Sequence, residues 1–134
     1  MKKSIPLILI SVFISIMSYA QDEFEMKEGD TTYIMKKYYL VMLLANPDKE
    51  QLDSALVAEI QQAHLDNINR LAEMGKIVMA GPMGDDGNLR GIFIMNCDSL
   101  EEAESLCETD PAIKRKRLLY ELHPWWAAKG SVLP

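Results

Sequence analysis

The sequence predicts an α+β domain in the order β-α-β-β-α-β, with both helices on one face of a four-stranded sheet. Three observations carry this. Apolar residues recur at spacings of three and four over about residues 49–74 and stop before Gly75. Short β-prone runs at 38–45, 77–80 and 90–96 are bounded by Asn, Asp, Pro and Gly. A second helical segment opens at Ser99 and is followed by one more strand-like run. The chain has 134 residues, 49% hydrophobic and 25% charged, which is one domain and too apolar for disorder.

The chain starts with a targeting pattern. Lys2 and Lys3 precede an apolar run from Ile5 to Met17, broken only by Pro6, Ser11 and Ser15, and Ser18-Tyr19-Ala20 follows. The run is about 13 residues where a membrane span needs ~20, and small residues precede a polar start. Residues 1–20 therefore read as a cleaved secretory signal, against an uncleaved anchor or a buried first helix. The expected destination is the periplasm or the exterior. No Cys follows the run, so a lipid anchor at the cut is not available. Export would put Cys97 and Cys107 in an oxidising compartment. A helix returning beside its strand should separate them by roughly 15 Å, beyond the ~7 Å reach of a disulfide. Both are expected unpaired.

Residues 21–36 begin with QDEFEMKEGD and read as a mobile acidic leader, although the first strand could begin near Thr31. The domain proper is 37–128, and 129–134 is a tail. YYLVMLLA at 38–45 reads as a central strand stopped by Asn46-Pro47-Asp48, and Asp48 with Gln51 resembles a capping box. The helix that follows buries Leu52, Leu56, Ile60, His64, Ile68 and Leu71, and Gly75 ends it. Residues 77–80 and 90–96 form a hairpin around the turn-rich loop 81–88. Ser99 and Glu102 cap a helix to about Glu108, with Leu100, Ala103, Leu106 and Cys107 inward. Asp110-Pro111 starts a short helical turn. Leu118 to Leu122 is the fourth strand, closed by His123-Pro124-Trp125-Trp126. The order is that of a ferredoxin-like sandwich, with the crossovers right-handed.

Such a sheet leaves its second face bare. Tyr38, Tyr39, Met42, Phe93, Met95, Trp125 and Trp126 are available as apolar cover, and nothing else in the chain is long enough to lie there. A homodimer packed sheet on sheet would solve this.

His64 lies on the apolar stripe, where a neutral imidazole could relay a proton near neutral pH. The plainer reading is a core His with a satisfied hydrogen bond. Asp110 could orient that ring, or merely cap the turn before Pro111. Gly81-Pro82 could let backbone approach a ligand, or be a plain hairpin loop. Asp85-Asp86 lacks the spacing of a calcium loop. Lys114-Arg115-Lys116-Arg117 could attract an anionic substrate, or be a solvated face. His123, Trp125 and Trp126 could wall a pocket or pack a core.

Lys+Arg 14 against Asp+Glu 20, net charge −6, argues against a nucleic-acid partner. There is no G-x-S-x-G, phosphate-binding glycine loop, dinucleotide fingerprint or C-x-x-C, and two His give no zinc spacing. No cofactor or metal is expected.

The ordered set Gln62-Ala63-His64-Leu65-Asp66-Asn67-Ile68, Met74-Gly75-Lys76-Ile77-Val78-Met79-Ala80-Gly81-Pro82, Gly91, Ser99-Leu100-Glu101-Glu102-Ala103, Asp110-Pro111 and His123-Pro124-Trp125 resembles the YCII-related domain family over about 37–128. The resemblance implies a dimeric α/β barrel and a His–Asp pair in a cleft, here His64 and Asp110, with Gly81 and Pro82 lining it. Two departures stand out. Members are usually plain cytoplasmic domains without an export signal. After Asp110-Pro111, an aromatic and a Gly turn are replaced by Ala112-Ile113 and the four basic residues, which points Arg115 and Arg117 at an anionic substrate.

Two functions follow. One is a cofactor-independent lyase, isomerase or hydrolase acting on a small anionic or aromatic molecule. His64 would be its base or acid, Asp110 would orient it, and backbone near Gly81 would hold an oxyanion. The other is a dimer that binds a ligand or partner without chemistry.

Overall fold

A computed structural model describes residues 22–134. The expected signal, 1–20, lies outside them. The longest element is β2, Thr31–Ala45, and its alternation sets the two faces of the sheet. Tyr39, Val41 and Leu43 are buried against helices. Their neighbours Tyr38, Leu40, Met42 and Leu44 point to the opposite face, as a period of two requires.

The other strands are β1, Glu23–Glu28; β3, Ile77–Pro82; β4, Leu89–Met95; and β5, Leu118–Ala128. β2 pairs with β5 along one edge and with β1 and then β4 along the other, and β4 carries β3. All pairings are antiparallel, so β2 and β3 run parallel with β4 between them, and β4 and β5 run parallel with β2 between them. These are the two split βαβ units of the ferredoxin-like α+β fold, as expected. Pro82 and Pro124 sit in β3 and β5, each at an edge of the sheet, where a missing N–H is tolerated.

The leader expected at 21–36 is instead part of the sheet. Residues Glu23 to Glu28 pair with Thr31 to Lys36 across the two-residue turn Gly29-Asp30. Gly29 has φ +58 at the first turn position, which a type II′ hairpin turn requires. Phe24 and Met26 alternate with charged residues in β1, and Phe24 stacks edge-on against Trp126 at 4.9 Å.

Helix α1 runs Ser54–Glu73, not from 49. Asp53 caps it, its carboxylate accepting from the Leu56 N–H at 2.9 Å. Asp48 is used otherwise. Its N–H donates to the Asn46 side chain at 3.0 Å, in a turn that ends β2. The buried face of α1 is Ile60, His64, Asn67 and Leu71, with Leu52 left outside the helix. Gly75, φ +71, closes it, and the Lys76 N–H bonds back to the Leu71 carbonyl at 2.9 Å.

Helix α2, Leu100–Cys107, is capped by Ser99, whose hydroxyl accepts from the Glu102 N–H at 3.0 Å. α3 is the single turn Pro111–Lys114, capped by Asp110. The core joins Tyr39, Val41, Leu43, Phe93 and Met95 of the sheet to Leu71, Ala103, Cys107 and Ile113 of the helices. Cys97 and Cys107 are both free, as expected, and both lie in this cluster. Of the seven residues expected on the bare face, Tyr39, Phe93 and Met95 therefore belong to the helix side. The bare face carries Tyr38, Leu40, Met42 and Leu44, opposite Trp125, His123, Glu121 and Leu119 of β5 and Ile94 and Ile92 of β4.

Candidate active site

His64 and Asp110 meet. They are 46 positions apart, and α1 and the α3 cap bring the ring Nδ1 to 2.7 Å from Asp110 Oδ2. The carboxylate is 1% exposed, and its other oxygen accepts the Ala112 N–H at 2.8 Å. Asp110 thus caps α3 with one oxygen and contacts the imidazole with the other. An ionised carboxylate only accepts, so with a neutral ring this contact places the proton on Nδ1 and leaves Nε2 its lone pair. Phe93 lies alongside the ring, with centroids 6.3 Å apart and planes inclined at 30°.

A further cluster holds the Asp110 turn against α1. The Arg70 guanidinium donates to the Asn67 carboxamide oxygen at 2.7 Å and to the Thr109 hydroxyl at 3.1 Å. That hydroxyl donates to the Leu106 carbonyl at 2.7 Å. Asn67 lies one helical turn after His64, so the clamp ties the backbone beside Asp110 to the helix that carries the imidazole.

His64 lines a cavity of about 410 Å³ between α1 and the β3–β4 hairpin. That size suits a small-molecule site. Leu43, Ile68, Phe93 and Leu118 make much of the wall apolar. Gly81 and Pro82 line it as expected. Gln61 and Arg90 are the polar side chains that join His64 there, and the sequence reading passed over both. Neither stands out: Gln61 is one of several polar residues on α1, and Arg90 is a lone cation at a strand end. Gly91 matters more for shape than Gly81 does. A Cβ at Gly91 would come within 2.9 Å of the Gly81 carbonyl oxygen, whereas one at Gly81 would meet nothing within 4 Å.

The basic run divides. Arg115 caps the end of α3 and lines neither described cavity. Lys116 turns left-handed at φ +51, and the turn swings Arg117 back towards α1, where it lines a smaller neighbouring cavity. His123 is exposed on the bare face, 3.5 Å from Glu121, and takes no part in the His64 cleft. Trp125 and Trp126 likewise wall no described pocket and pair in the sheet instead.

The YCII-related domain matches residues 38–125. The chain belongs to the YCII-related domain family. No curated protein matches it. Among solved structures it is similar to 5-chloro-2-hydroxyhydroquinone dehydrochlorinase from Burkholderia phenoliruptrix AC1100 in complex with 2,5-dihydroxybenzoquinone. The two are 24% identical, with a TM-score of 0.49 over 66% of this chain and 92% of that one. Among the described residues, no helix is long and apolar enough to cross a membrane.

Proposed function

We propose that this YCII-domain protein is an exported, homodimeric, cofactor-independent enzyme that performs acid/base chemistry on a small aromatic or anionic molecule. The observation that carries the reading is the 2.7 Å contact between a buried carboxylate and the imidazole lining the 410 Å³ cleft. His64 Nε2 takes a proton from the bound molecule, and Asp110 stabilises the imidazolium so formed. The same nitrogen returns the proton to a neighbouring atom of the product or to a leaving group, which defines an isomerase or a lyase. Acting on a bound water instead, it defines a hydrolase. A positioned base of this kind contributes ~10²–10⁴-fold. Gln61 and Arg90 lie where they can hydrogen-bond an oxygen that gains negative charge, and Gly81 and Pro82 shape the opposing wall.

The test is a turnover screen of small carboxylates, phenols and lactones with the mature chain and His64→Gln. The expected result is turnover by the wild type that the substitution abolishes while thermal unfolding stays cooperative. Turnover retained by His64→Gln overturns the reading. Ligand binding without turnover by the wild type would make the protein a binding module.

A further inference from the structure

The smaller cavity beside the His64 cleft has a cationic wall. It measures about 160 Å³ and is lined by Lys49, Val57, Ile60, Gln61, Ala112, Arg117 and Leu118. Gln61 and Leu118 line the His64 cleft as well, so the two cavities share a wall. No acidic side chain lines either one. The chain is acidic, yet among the described residues neither Lys49 nor Arg117 forms an ion pair.

Arg117 is held in place by backbone. The Asn46 carboxamide donates to the Lys116 carbonyl at 2.6 Å, and the Arg117 N–H bonds to the Ala112 carbonyl at 2.9 Å. The guanidinium spends one donor on the Glu50 carbonyl, at 3.3 Å. A guanidinium has five donors in a planar fork, which matches a carboxylate in two parallel bonds.

We infer that the Lys49–Gln61–Arg117 cavity is a carboxylate subsite. It anchors the acidic end of a molecule whose apolar, reacting part lies in the cleft at His64. The inference rests on the proposed role of His64 and names the class of substrate as an aromatic or unsaturated carboxylic acid. Arg117 forms the paired hydrogen bonds, Lys49 adds charge, and Gln61 stands between the anchored group and His64.

The experiment compares trans-cinnamate with trans-cinnamamide, which differ only at the anchor, a charged pair of acceptor oxygens in one and a neutral amide in the other. Both are titrated at low salt into the wild type, Lys49→Gln, Arg117→Gln and His64→Gln, and followed by amide NMR shifts. Cinnamate should bind on the order of tenfold more tightly than the amide. It should shift the Ala112 and Leu118 amides. Arg117→Gln should erase the preference, Lys49→Gln should shrink it, and His64→Gln should keep it. Equal affinities in the wild type, no cinnamate binding, or a preference that survives both cation substitutions overturns the subsite. A carboxylate preference in a protein that turns nothing over leaves the subsite standing and defeats the acid/base reading alone. Turnover lost in His64→Gln without a carboxylate preference does the reverse.

Discussion

Asp110 does two jobs with its two oxygens, one on the Ala112 N–H and one on His64. Asp110→Asn can keep the first, but its amide would donate to Nδ1 and force the imidazole proton onto Nε2. Turnover should fall by about 10²–10⁴-fold with a near-native unfolding temperature. Asp110→Ala loses both bonds and should also cost on the order of 2 kcal/mol in denaturant unfolding. Burial pushes the Cys97 thiol up to about 11 and the Cys107 thiol up to about 12. Both stay protonated at neutral pH, so iodoacetamide should label them only once the protein unfolds. Rapid labelling of the native protein would contradict this. His64 was legible at this scale because an imidazole interrupts an otherwise apolar stripe. Asp110 was legible as a cap from its own surroundings, but as a partner of His64 only through the family resemblance, since 46 positions of chain hide the contact. The Asn67–Arg70–Thr109 clamp and the lining role of Arg90 leave no pattern, because they depend on where turns return.

At the scale of elements, helix α2 is fastened to the turn after α1 by Glu102. Its carboxylate accepts from Lys76 at 2.6 Å and from the Asp98 N–H at 2.8 Å, and these hold its pKa below the usual 4.5. A lowered carboxyl pKa stabilises the fold above the unfolded value, and that stability is lost as pH falls through the folded value. Glu102→Gln should lower the unfolding temperature at neutral pH, and the gap to the wild type should close under acid. A gap that persists below both values would refute the assignment. Gly91→Ala should destabilise by about 1–3 kcal/mol and narrow the cleft, because backbone rather than a movable side chain stands 2.9 Å away. Urea unfolding reads the first effect and ligand affinity the second. Periodicity revealed α1, capping residues revealed α2 and α3, and short β-prone runs bounded by turn residues revealed most strands. The β1–β2 hairpin was hidden by its acidic composition, although Phe24 and Met26 at alternate positions before Gly29-Asp30 carry its signal. The start of α1 was misread because Asp48 and Asp53 both suit a cap, and the turn at Asn46 decides between them.

Among the described residues, one sheet face of the molecule bears half-buried Tyr38, Leu40, Met42 and Ile92 beside exposed Trp125. Pairing of two copies through this face should give light-scattering mass of twice one chain, and Met42→Glu should halve it. A monomeric wild type would count against the dimer. The bare face was legible from topology alone, since two helices cover only one side of four strands. The His64 cleft was not, because it opens between α1 and the β3–β4 hairpin, whose strands approach closely at Gly91 in a way the order of elements does not show.

The proposed chemistry requires that Asp110 present His64 to the cleft with Nε2 bare. Long-range ¹H–¹⁵N NMR of the His64 ring at about pH 8, where an ordinary imidazole is neutral, reads this directly. The wild type should show a protonated Nδ1 and an unprotonated Nε2, exchanged in Asp110→Asn. A proton on Nε2 in the wild type would contradict it, because that nitrogen would then have no lone pair to offer.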